Sequence, residues 1–491
     1  MTVNKIIKPV VSDTELDASL RLPLFALFGG AAFWLVISSL LALIASIKFH
    51  APGFLAGVAW LTYGRVQPAA DDALLYGFCL PAGMGVLLWI LVHLGRTPLP
   101  GAAVPFLAAK FWHLGVLVGL VGVLAGLSTG FSWLEFPRGG SMLLFSAYLL
   151  LALWAMMNFA GRRERALYPS HWFLVAALFW FPWIYSTANL FLMAWPVRGV
   201  VQAVVGWWFA NNLLFVWLAL VGLGISLYFL PKFSGRPLQS YYLALNLFWT
   251  LILFGTWCGI PPGAPVPAWL PTVSSYAALL ATVPVLTLGV ILVQTLRGTE
   301  KCAVNGDPFS FVKAGTVAFL LSSLMLLALA CPRISRVTEF TWFGPAQTQL
   351  QLYGFFAMIL FGAVYHLLPR VAGSPWPLPR LARWHFWVFL LGLLLFVAPL
   401  ALGGLVQGLK LKRLDTAFAD STRAMLPFLR TSTIGLLLIL FGNLFFSVNI
   451  FGLICRWQLA LVKQAVALVN APLETASGSA KMSHDHEEAK A

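Results

Sequence analysis

About twelve apolar runs, each of about 20 residues or more, recur along the chain at roughly residues 23–47, 74–95, 109–130, 141–160, 170–193, 204–230, 239–260, 273–296, 312–331, 348–369, 385–407 and 433–455. A run of that length inside hydrocarbon has no water to hydrogen-bond its backbone, so each must close its own N–H and C=O groups as a helix. Of 491 residues, 60% are hydrophobic and only 10% charged, which excludes a water-soluble globule of this size. The expected fold is all-α: a polytopic transmembrane bundle of about 12 helices. The loops are short and no repeat or soluble insert interrupts them, so residues 21–458 form one membrane domain. Residues 1–20 read as a polar N-terminal tail, and the small, charged residues of 459–491 as a disordered C-terminal tail.

The formal charge of +15 does not mark a nucleic-acid binder, because the basic residues alternate with the loops instead of gathering on one face. Arg96, Arg162, Arg163, Arg165, Lys232, Arg236, Arg297, Lys301, Arg370, Arg380 and Arg383 all fall in loops on the N-terminal side. The positive-inside rule then sets both termini in the cytoplasm. The first apolar run follows Asp13, Glu15 and Asp17 and is too long for a signal peptide, so it reads as an uncleaved first helix. The last outer loop breaks the charge pattern. Its Lys410, Lys412 and Arg413, with Arg423 and Arg430 beyond, make a candidate docking surface for an acidic partner or for membrane lipid. Five scattered cysteines (Cys79, Cys258, Cys302, Cys331, Cys455) show no ligand spacing and read as packing thiols.

Several phrases occur in an order shared with one enzyme family: WLTYGR (Trp60 to Arg65), QAVVGWWFANN (Gln202 to Asn212), YFLPKFSGRPLQSYY (Tyr228 to Tyr242) and FGAVYHLLPR (Phe361 to Arg370). From about residue 20 to 410 the chain resembles subunit I of the cbb-type (C-family) haem-copper cytochrome c oxidases. The resemblance implies a respiratory membrane complex with cytochrome c-bearing, membrane-anchored partner subunits. It also implies six histidines holding two haems and a copper, and here the positions that match them are Ala70, Asn211, Pro261, Pro262, Gln347 and Gln349, with Gly255 where the family has a tyrosine. All six histidines are replaced. Haem iron and copper take imidazole, thiolate, thioether or phenolate ligands, which none of these side chains supplies. The sequence therefore predicts no haem and no copper, with haem b as the alternative. Gln347 and Gln349 are expected to hydrogen-bond between helices, and Trp208, Phe209, Trp257 and Phe355 to turn inward and fill vacated volume.

The remaining histidines do not rebuild the site. His93, His113 and His366, all near inner helix ends, are the one trio that could converge on a metal or a quinone, while His484 and His486 in the tail could hold a divalent metal only weakly. All acids fall in loops, tails or span ends, Asp71 and Asp72 at the outer start of the second helix and Glu135 in an outer loop, so no carboxylate path crosses the bundle. Asn158, Asn189, Asn211, Asn212, Asn246, Asn443 and Asn449 suit interhelical hydrogen bonds. Three functions compete: a non-catalytic scaffold subunit, a terminal oxidase or nitric oxide reductase with unrecognised ligands, and a transporter or channel. The first accounts for retained phrases and emptied positions together.

Overall fold

The computed structural model describes residues 11–297, 307–413 and 415–470, and every regular element among them is helical. We number the principal helices α1 (Asp13–His50), α2 (Tyr63–Gly95), α3 (Ala103–Ala125), α4 (Arg138–Ala160), α5 (Pro169–Ala194), α6 (Val200–Ser234), α7 (Tyr241–Gly255), α8 (Trp269–Leu296), α9 (Asp307–Ala330), α10 (Phe343–Ala372), α11 (Pro379–Leu411) and α12 (Phe418–Asn470). Eleven are long and apolar enough to cross a membrane, and α7, at 15 residues, is the short one. The twelve apolar runs of the sequence fall one on each helix. Cys302, Lys301, His484 and His486 lie outside the described residues.

Three helices form the centre. The most apolar windows of α2, α6 and α10 are 100%, 89% and 89% buried, against 39–56% for the others. Their near-continuous apolar sequence follows from this placement: a helix surrounded by helices has no polar or lipid face to vary. Around them the bundle is tied by close backbone approach and by side-chain amides. On α11 and α12, a methyl group added at Gly392 would lie 2.9 Å from the Gly435 carbonyl oxygen, and one at Gly435 would lie 2.7 Å from that of Gly392. Only glycine permits that contact. Asn443 on α12 donates to Ser39 Oγ on α1 at 2.8 Å, and Asn246 on α7 donates to Thr287 on α8 at 3.0 Å. Asn158 donates to the carbonyls of Thr97 and Pro98, and Asn449 accepts from the Leu378 amide. Asn189 departs from the expected pattern, donating to Tyr185 one turn back on its own helix.

Two boundaries differ from the sequence reading. α1 begins at Asp13, inside the stretch taken as a tail, because Ser12 and Glu15 form a capping box: the Glu15 amide donates to Ser12 Oγ and the Ser12 amide to Glu15 Oε2 at 3.0 Å. α12 continues to Asn470, past the boundary at 458, with residues 459–469 exposed. Both helix ends lie on one face of the bundle: Asp13 pairs with Arg96 at the end of α2 and with Arg370 at the end of α10, while Trp457 packs edge-on against Phe25 at 5.0 Å.

Replacing Gly435 by valine drives side-chain atoms into α11. We expect overpacking to cost about 1–3 kcal/mol, read as a lower Tm in neutral detergent, with Gly289→Val, where nothing lies within 4 Å of the added carbon, leaving Tm nearly unchanged.

Candidate functional site

The positions that the resemblance empties gather at the face opposite Asp13, around the starts of α2 and α10 and the loop after α7. Their side chains have found other work. Asn211 on α6 donates to the Gly255 carbonyl on α7 at 2.8 Å, joining two of the emptied positions. The loop beyond closes over it: Gly259 has φ +100°, and a side chain there would strike Asn211 Cβ at 2.5 Å. Gln347 on α10 donates to the Ser322 carbonyl on α9 at 3.4 Å. Gln349 donates to Asp71 Oδ1 on α2 at 3.1 Å, while Gln67 donates to Oδ2 of the same carboxyl at 2.8 Å. Ala70, fully buried, offers only its backbone carbonyl, which accepts from Ser38 Oγ on α1. Pro261 and Pro262 sit in the irregular segment between α7 and α8.

Each of the three central helices widens into a π-helical stretch beside its emptied position: Ala73–Cys79 after Ala70, Asn212–Trp217 after Asn211, and Leu350–Ala357 after Gln349. Such widenings redirect side chains and recur at functional sites. They leave no mark in the hydrophobic pattern, which is why the sequence reading passed over them.

Vacated volume is filled only in part. Phe355 is buried, 4.7 Å from Phe319 between ring centroids, and its ring occupies the place where a Gly222 side chain would be. Phe209 is buried beside Tyr185, and Trp208 is half-buried against Trp183. Trp257 is a correction: it is 62% exposed, because α7 ends at Gly255 and the tryptophan begins the outer segment. Two adjoining cavities remain. One, of about 600 Å³, is lined by Ala70, Asp71, Gln349 and residues of α1, α6, α11 and α12; the other, of about 680 Å³, by Pro261, Pro262, Glu339 and Ser335.

Haem and copper do not fit these residues. No imidazole, thiolate or thioether stands at any of the six positions, and the amides that could have offered a weak oxygen ligand are turned to other partners. The three histidines expected to converge do not form one cluster. His93 stacks on Trp89 at 3.9 Å with Nε2 3.2 Å from Asp17, and His366 lies edge-on to Phe233 at 5.0 Å. His113 is turned to α1, with Nε2 3.2 Å from the Ala26 carbonyl and its ring over Gly30. Among the described residues no group of three or more His, Cys, Asp or Glu side chains is placed to hold a metal. Lys412 and Arg413 are exposed after the end of α11, and Lys410 is half-buried in its last turn.

One acidic feature was missed by sequence reading. Asp72 is fully buried on α2 and its carboxyl faces Glu135, which the loop between α3 and α4 turns inward instead of leaving in solvent. The backbone turn at Trp133, with φ +67°, directs the chain inward there.

The bundle has the architecture of a haem-copper oxidase subunit I. A solved heme-copper terminal oxidase dimer contains a chain that matches with a TM-score of 0.66 at 14% identity, covering 88% of this chain and 84% of that one. The family described as "Cytochrome C and Quinol oxidase polypeptide I" matches residues 23–438, and the chain belongs to that family. Similar curated proteins include a cytochrome c oxidase subunit 1 homolog of Azorhizobium caulinodans, 24% identical over 462 residues, covering 90% of this chain and 83% of that protein. Another is the Cbb3-type cytochrome c oxidase subunit CcoN1 of Stutzerimonas stutzeri, 24% identical over 434 residues, covering 84% and 89%.

Burial pushes the Glu135 carboxyl up from its ordinary 4.5 to about 7. A carboxyl that holds its proton more tightly folded than unfolded stabilises the fold below its unfolded value and loses that contribution as pH rises through the folded one. Tm is therefore expected to fall between about pH 5 and 8, and Glu135→Gln to flatten that decline; an equally steep fall in the variant would remove Glu135 as its source.

Proposed function

We propose that this chain is an integral membrane subunit of a bacterial respiratory electron-transfer complex that carries neither haem nor copper and serves as a structural or assembly scaffold. The reading rests on one observation: all six ligand positions implied by family resemblance hold non-ligating side chains, and the three polar ones, Asn211, Gln347 and Gln349, are engaged in bonds between helices. A purified chain, freed of cytochrome partners, is expected to give no pyridine haemochrome and no copper by metal analysis. One haem per chain would overturn the proposal in favour of the second reading, an active terminal oxidase or nitric oxide reductase with haem b. Membership of the family and the two cavities favour that second reading.

The partners that suit the scaffold are membrane-anchored cytochrome c-type subunits, held partly by charge at Lys410, Lys412 and Arg413, with lipid around the remaining faces. In this arrangement the chain lies in the inner membrane with both ends cytoplasmic. Neutralising the three basic residues is expected to reduce co-purification of a partner most at low salt, with the difference from the wild type narrowing as salt screens the charges; full recovery at every ionic strength would remove the loop from the interface. A reporter fused after the last residue should be active only in the cytoplasm.

A further inference from the structure

The two cavities have a chemical character that the scaffold role does not use. The first is walled by Phe49, Trp133, Trp207, Trp342 and Tyr353 and contains a single ionisable acid, Asp71. The second shares Tyr63, Trp342, Gly344 and Pro345 with it and contains one acid, Glu339. Among the described residues neither is lined by any lysine, arginine or histidine, in a chain whose net charge is +15. Asp71 has amide N–H donors on both oxygens, the arrangement that a carboxylate accepts, and no ion pair among the described residues includes it. Glu339 accepts from Ser335 Oγ at 3.2 Å, and no described ion pair includes it either.

An aromatic-walled cavity with a carboxylate that no ion pair compensates disfavours anions and attracts cations twice over: by charge at its acid and by the negative faces of its rings. The rim is open, since Pro345 is exposed and Tyr63 is 39% exposed. We infer that these adjoining cavities bind a lipophilic organic cation, an amine or quaternary ammonium with an apolar body, whose charge is directed to Asp71. A zwitterionic phospholipid is a poorer candidate, because nothing basic in either lining would meet its phosphate. The inference depends on the cavities being free of haem.

The test uses the full chain purified in neutral detergent, with a haemochrome run on the same sample. Haem in that sample would fault the scaffold reading, whereas haem-free protein that binds no cation would fault this inference alone. By calorimetry, benzyltrimethylammonium should bind saturably and benzylsulfonate, with the same ring and the opposite charge, should not. Asp71→Asn should weaken cation binding at least about tenfold. Glu339→Gln, which lies outside the principal helices, should weaken it in the same direction and stands in if Asp71→Asn fails to fold. Equal affinity for the two probes, or wild-type affinity in the folded variants, would overturn the assignment.

Discussion

The mutual burial of α2, α6 and α10 is the constraint on which the rest of the molecule depends. In hydrocarbon there is little hydrophobic gain in pressing one apolar helix against another, so association relies on fit, on close backbone contact and on a few polar links. The central helices obtain their fit from aromatic side chains set into glycine gaps, such as Phe355 over Gly222. The outer helices then need only one good face each. This explains why Gly392 and Gly435 carry the α11–α12 contact, and why amides such as Asn443 and Asn246 appear at helix borders, each satisfied by a partner across the gap.

The same centre accommodates small and amide side chains at Ala70, Asn211, Gln347 and Gln349. A polar group is costly to bury unless a hydrogen bond satisfies it. Alanine and proline side chains ask for no partner, and asparagine and glutamine find one in a carbonyl or carboxyl of the next helix. Asn211 with Gly255 links α6 to α7, and Gln349 with Asp71 links α10 to α2.

Much of the architecture was legible in the residues. Apolar length alone placed all twelve helices, since nothing in a bilayer competes with that signal. The bonding of Asn211, Gln347 and Gln349 between helices was also legible, because a buried amide among apolar helices needs a partner. What escaped reading depended on direction. Trp257 was expected inside and is outside, two residues past the end of α7. Glu135 was read as an outer-loop residue and is turned inward to Asp72. The capping box at Ser12 was written in the sequence but was hidden by the polarity that made the segment look like a tail. The cavities escaped for a different reason: they are defined by residues from many helices, and no stretch of sequence contains one.

The length of α12 sets a distance. At about 1.5 Å per residue its 53 residues extend roughly 80 Å, more than twice the roughly 30 Å hydrocarbon core. The packing of Trp457 on Phe25 marks where it leaves the bundle, and about three and a half further turns stand clear. The helix thus acts as a post: its end at Asn470 stands about 20 Å along the axis from the Trp457 contact, at a height that the helix itself fixes.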